Sequence, residues 1–90
     1  MKHYDYSKYE DCLEAVKKNG YTLEYVKEQT EELCMIAVQQ NGLALQYVKN
    51  QTAKICIAAL ENNANAIKYL DKDQIKMFAK IAVKYLEQNN

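Results

Sequence analysis

Three cysteines, Cys12, Cys34 and Cys56, stand 22 residues apart in a chain of 90. A thiol is the strongest latent nucleophile among the side chains and a good ligand for soft metals, so these positions are the first to test for chemistry. If the spacing is that of repeated helical units, successive cysteines lie about 8–10 Å apart, one helix-packing distance. That is beyond the Cα separation of about 7 Å that a disulfide tolerates. A metal site needs further Cys or His at short spacing, and the single histidine is His3, close to the N-terminus. A catalytic thiolate needs a neighbouring base or positive potential, and the sequence specifies none. The cysteines therefore read as small buried apolar side chains, one per unit.

The remaining reactive types are similarly disposed. Glu10 with Asp11, Glu31 with Glu32, and Asp71 with Asp73 are paired carboxylates, but each pair falls at an expected helix start, where the helix dipole favours acids. There is no phosphate-binding loop, no Ser-His-Asp set and no metal motif. No enzyme, cofactor or metal is expected. Tyr25, Tyr47 and Tyr69 also recur at 22 and should form a column at the margin of the core, either a packing ladder or a ridge on which a partner rests. Lys76, Lys80 and Lys84 recur at intervals of four and form a stripe on one helix face, either solvated or in contact with an acidic surface.

Charge sums to zero, yet residues 1–32 hold eight acids and five lysines, net −3, and residues 33–90 hold four acids and seven lysines, net +3. No arginine is present, which removes the side chain best suited to bidentate phosphate recognition. Specific nucleic-acid binding is not expected. With no apolar run of about 18 residues to span a bilayer and no secretory leader in MKHYDYSKYED, the expectation is an intracellular, cytoplasmic protein.

The elements that carry these residues follow from the same period. Residues 12–33 and 34–55 match at eleven of 22 positions without a gap, and residues 56–77 keep Cys56, Ala59, Asn63 and Tyr69. Such a period marks an array in which each unit buries its face against the next. Asn19-Gly20 and Asn41-Gly42 are also the strongest short hairpin signal. Three features favour helices instead. Thr30 and Thr52 are good N-caps, Ser7-Lys8-Tyr9-Glu10 has the form of a capping box, and NANAIKYLDK is a poor strand. Gly20 and Gly42 then serve as C′ residues with positive φ, a role Asn63 takes in the third unit.

The expected helices are 8–19, 22–28, 31–41, 44–50, 53–63, 65–71 and 74–88. The fold class is all-α, a single α-solenoid-like domain over 1–90, with repeats at about 8–29, 30–51 and 52–73 and a terminal helix at 74–88. Leu23 with Val26, Leu45 with Val48, and Ile67 with Leu70 mark the buried side of the second helices.

The units Ala15-Val16, Asn19-Gly20, Leu23, Tyr25-Val26 and Ala37-Val38, Asn41-Gly42, Ala44-Leu45, Tyr47-Val48 carry a pattern close to AVxxNGxALxYV. This pattern resembles an uncharacterised short helical-repeat family, a domain of unknown function found in giant DNA viruses and some intracellular bacteria. The resemblance covers roughly residues 12–70 and departs from the pattern at Ala64. It implies a helical array used for binding, with no activity to carry over, and the host cytoplasm as location if the source is viral.

The terminal helix differs from the repeat. Ile75, Met77, Phe78, Ala79, Ile81, Ala82, Val83, Tyr85 and Leu86 leave only a narrow polar column. A cap of a repeat array ordinarily shows a polar outer face. Either this helix is gripped on two sides, or it leaves a patch for a partner, with Phe78, Ile81 and Tyr85 as contact residues. The expected function is a non-catalytic protein-interaction module with a protein partner, possessing no membrane segment. The alternative is a self-assembling protein that forms a homo-oligomer through this helix.

Overall fold

The computed structural model describes residues 3–88, with the side chains of Ala82 and Tyr85 outside the description. Four α-helices alternate with three short 3-10 helices: α1 Tyr9–Lys18, η1 Gly20–Tyr25, α2 Glu31–Gln40, η2 Gly42–Tyr47, α3 Ala53–Asn62, η3 Ala64–Tyr69 and α4 Lys72–Gln88. Among the described residues there is no strand, so the Asn-Gly pairs are not hairpin tips.

Each of the first three units is a ten-residue α-helix, a six-residue 3-10 helix and, in units one and two, a five-residue linker that bends at its second and third residues. The helix starts are as expected in units two and three: Thr30 Oγ1 accepts from the Leu33 N–H at 3.1 Å and Thr52 Oγ1 from that of Ile55 at 3.3 Å. In the first unit Lys8 is the N-cap and makes no side-chain cap bond. Ser7 does not form the capping box. Its N–H and hydroxyl both turn back to Asp5 Oδ1 instead.

The second element of each unit is a 3-10 helix that starts one to two residues and ends two to three residues earlier than the sequence suggests. Two features select it. The Asn19, Asn41 and Asn63 side chains accept from the N–H two residues on, at 2.9–3.0 Å, which tightens the entry into a turn. Burial then recurs every third residue, at Gly20, Leu23 and Val26 and at Gly42, Leu45 and Val48. That is the period of a helix with three residues per turn, in which i and i+3 eclipse. Six residues is long for this geometry, and the packing of that single face holds it.

The expectation of positive φ at the glycines is overturned. No described residue has positive φ, and Asn19, Asn41 and Asn63 are all extended. Gly20 and Gly42 are required for proximity. A β-carbon on Gly20 would overlap the Ala37 carbonyl oxygen, and one on Gly42 that of Ala59, each inside the 3.0 Å that real β-carbons keep. The glycine lets the backbone of one unit touch the α-helix of the next.

The core runs through the stack: Cys12, Val16, Leu23, Val26, Leu33, Ala37, Val38, Leu45, Ile55, Cys56 and Ala59 are buried. The end of the stack corrects one expectation. Ile67, equivalent to fully buried Leu45, is 62% exposed, because no fourth unit covers it. The particle measures 56 × 19 × 18 Å. Three layers at about 9 Å and a 17-residue helix of about 25 Å account for most of that length. α4 therefore leads away from the stack instead of folding back as another layer.

The reason lies at residues 70–74. In units one and two a five-residue linker with a bend reverses the chain, whereas only Leu70 and Asp71 separate η3 from α4. Asp73 and Gln74 stand where Gln29 and Thr30 stand two units earlier, so the Thr cap that starts α2 and α3 is missing and the linker joins the helix.

Candidate interaction surfaces

Side-chain amides hold the units together. Gln29 Nε2 donates to the Tyr47 carbonyl at 2.7 Å, and Gln29 Oε1 accepts from the Lys49 N–H at 3.0 Å. Gln51 repeats both bonds on Tyr69 at 2.8 Å and Asp71 at 2.9 Å. A second pair works between layers. Gln40 Oε1 accepts from the Gly20 N–H at 2.6 Å, and Asn62 Oδ1 from that of Gly42 at 2.7 Å. Their amide nitrogens donate to the Lys18 and Gln39 carbonyls. Sequence reasoning passes over these four amides, although the identity of Gln29 with Gln51 at the repeat spacing is the signal that could have found the first two.

The cysteines complete the same scaffold. Cys34 and Cys56 donate to Gln29 Oε1 and Gln51 Oε1, both at 3.5 Å, and Cys12 donates to the Tyr6 carbonyl at 3.3 Å. All three are free and buried. Burial raises each thiol pKa, to about 11 for Cys34 and Cys56, with nearby Glu31 and Asp71 acting in the same direction. Such thiols stay protonated and are poor nucleophiles at neutral pH. Cys12 and Cys34 lie beside open clefts: one of about 480 Å³ among Tyr6, Cys12, Tyr25 and Lys27, the next of about 380 Å³ among Lys27, Cys34, Lys49 and Thr52. Among the described residues no cluster of His, Cys, Asp or Glu is arranged to hold a metal ion. None of the helices is long and apolar enough to cross a membrane.

The tyrosines are gathered on the 3-10 side, unevenly. Tyr25 is 58% exposed and lies over Tyr6, ring centroids 5.4 Å apart, with Tyr4 following at 6.3 Å. Tyr47 is half-buried and meets Tyr21 edge to face at 6.1 Å. Desolvation raises its hydroxyl pKa, assisted by Glu24 and the neighbouring tyrosines. Tyr69 is half-buried too, with the Lys68 ammonium 5.4 Å from its ring centroid. Tyr25 is thus the member of the column most open to a partner.

On α4 the expected contact residues separate. Phe78 packs against the core and Ile81 is exposed, while the Tyr85 side chain is outside the described residues. Lys76, Lys80 and Lys84 are exposed along one side. Ile75, Ile81, Val83 and Leu86 are each half or more exposed. Gln74 ties the root of the helix to the stack, donating to the Gln51 carbonyl at 3.2 Å.

A stack of α/3-10 pairs joined by recurrent glycine contacts and amide bridges defines a helical-repeat protein of the solenoid kind. The chain belongs to the family described as Domain of unknown function (DUF4116), whose sequence model matches residues 9–52 and again 30–76. The two matches overlap by the second unit, as a repeat requires. Neither the curated proteins nor the solved structures gave a match.

Proposed function

We propose that this chain is a non-catalytic protein-interaction module in which the repeat stack is a rigid support and α4 is the contact element. One observation carries the reading. Beyond its second turn α4 presents Val83 and Leu86 to solvent on one side and Ile81 on the other. A helix that is apolar around most of its circumference is stable when covered, and exposed apolar surface of this kind marks interaction sites.

A photo-crosslinking residue at Leu86 in the cells that make this protein tests the reading. Discrete adducts are expected there, with none above background from the same probe at exposed Lys17 on α1. Equal labelling at the two positions sinks it.

The tyrosine column supports a second contact surface, because Tyr25 holds its exposed ring in place by stacking on Tyr6. Rigid aromatic rings are favoured anchors for protein partners. The resemblance to repeats of giant viruses and intracellular bacteria extends this reading to an intracellular factor that occupies a host or defence protein through that column.

A further inference from the structure

We propose that Asn19 and Asn41 are sites of spontaneous deamidation, held unreactive while the neighbouring layer is docked on the glycine that follows each of them. In Asn-Gly the glycine nitrogen, once it has given up its proton, attacks the side-chain amide carbon, with no β-carbon on the second residue to hinder it. The new C–N bond closes a succinimide ring, the Cγ–Nδ2 bond breaks, and that nitrogen leaves as ammonia, carrying the proton the glycine lost. Water then opens the ring at either carbonyl. Opening at Cγ gives aspartate, and opening at the backbone carbonyl gives isoaspartate, in which the chain runs through the side chain.

Both halves of this reaction are in place. Asn41 Oδ1 accepts from the Leu43 N–H and Asn19 Oδ1 from the Tyr21 N–H, each at 3.0 Å, so a donor stands at the oxygen on which charge develops during the attack. The nucleophile is what is restrained. The Gly42 N–H donates to Asn62 Oδ1 at 2.7 Å and the Gly20 N–H to Gln40 Oε1 at 2.6 Å, and both glycines are buried. A neutral amide oxygen accepts this hydrogen bond without removing the proton, and burial keeps solvent base away. Each restraint comes from the next layer, since Gln40 is the last residue of α2 and Asn62 the last of α3. In the third unit Asn63 precedes Ala64, which has a β-carbon and no layer beyond it.

Repeat arrays open from their ends, where one side of a layer is bare. Departure of the third unit, whose Ile67 is already uncovered, frees Gly42, and departure of the first unit from α2 frees Gly20. Redocking does not undo the conversion. Isoaspartate lengthens the backbone by one carbon immediately before Gly42, where the Ala59 carbonyl leaves no room even for a β-carbon. Either product also sets a carboxylate at half-buried residue 41, which costs desolvation. The joints between layers thus retain a record of having opened.

The full chain, held at mildly alkaline pH and mapped by peptide mass spectrometry with enzymatic methyl labelling of isoaspartate, should convert at residues 19 and 41 at least about tenfold more slowly than the same chain in denaturant. Asn62→Ala should speed conversion of Asn41 about tenfold and leave Asn19 at the parent rate, and Gln40→Ala should do the reverse. A folded parent that converts as fast as the denatured chain, or a folded variant that accelerates both sites alike, overturns the gating. If Asn62→Ala fails to fold, Gln40→Ala, at an exposed helix end, and the comparison of folded with denatured parent still decide it. Chains converted at residue 41, separated by their added negative charge, should exchange the amide protons of α3 faster than unconverted chains. Equal protection overturns the claim that conversion prevents redocking.

Discussion

Gly42 lies so close to the Ala59 carbonyl that a methyl group there would overlap the oxygen, and Gly20 stands in the same relation to Ala37 one unit earlier. The third unit has Ala64 at this position, exposed, with no following layer. One side chain thus distinguishes units that accept a neighbour from the unit that ends the stack.

Gly42→Ala should therefore destabilise the fold by about 2–3 kcal/mol, the range of an overpacked site whose obstacle is backbone. Ala64→Gly should change stability by about 1 kcal/mol or less, through helix propensity alone. Denaturant midpoints of the two variants at equal m-value check the contrast.

The same boundary separates two equivalent aliphatic positions. Leu45→Ala removes a fully buried side chain and should cost about 2–5 kcal/mol. Ile67→Ala, at a position 62% exposed, should cost well under that, about 0.5 kcal/mol. Comparable losses would mean that a layer covers Ile67 after all.

Gln51 is the most heavily used amide. It serves Tyr69, Asp71 and Cys56 at once. Gln51→Ala leaves a carbonyl and an N–H partly buried without their partners, at about 1–3 kcal/mol for each group so stranded. Gln51→Glu, at a pH where the carboxyl is protonated, keeps an acceptor and offers an O–H donor in place of the amide, so it should cost less than the alanine variant. Amide hydrogen exchange at Asp71 should accelerate in the alanine variant and not in the glutamate variant.

The thiols give a pH window. Cys34 and Cys56 are raised from 9.0 to about 11 in the folded chain, while the unfolded chain keeps the ordinary value. The raised folded pKa means that the stabilisation is complete below about pH 8.5 and declines as pH rises from there towards 11. Thermal melts from pH 7.5 to 10.5 should fall more steeply for the parent than for a Cys34→Ala, Cys56→Ala variant. At pH 8, maleimide should label the native cysteines at a rate limited by unfolding. Rapid labelling of folded protein would contradict their burial.

Much of this architecture is legible in the sequence because a period of 22 reports packing directly: Cys12, Cys34 and Cys56, the Thr caps and the Leu-Val pairs all fall where the period puts them. What is not legible depends on the approach of one unit to another. Glycine after a helix suggests positive φ by itself, and only the position of the Ala37 carbonyl reveals that Gly20 is there for space. Likewise Leu23 and Val26, three apart, suit an α-helix and a 3-10 helix equally until Gly20 is seen to share their face. The fate of α4 is set by Asp73 and Gln74, whose meaning appears only once Gln29 and Thr30 are known to bridge and cap.

The missing cap of the first unit permits a gain of stability. Lys8 occupies the N-cap of α1 with extended backbone, φ −105° and ψ 126°, much like Thr30 and Thr52, yet its side chain has no oxygen to accept from the first turn. Lys8→Thr should supply that acceptor and stabilise the chain by about 0.5–1.5 kcal/mol, or several degrees in Tm for a domain of this size. Thr30→Ala and Thr52→Ala should lose a similar amount. Ser7→Ala should cost less than either, because its hydroxyl binds Asp5 and not the helix. If Ser7→Ala matched Thr30→Ala in thermal melts, Ser7 would be the working cap in solution and Lys8→Thr would bring no gain.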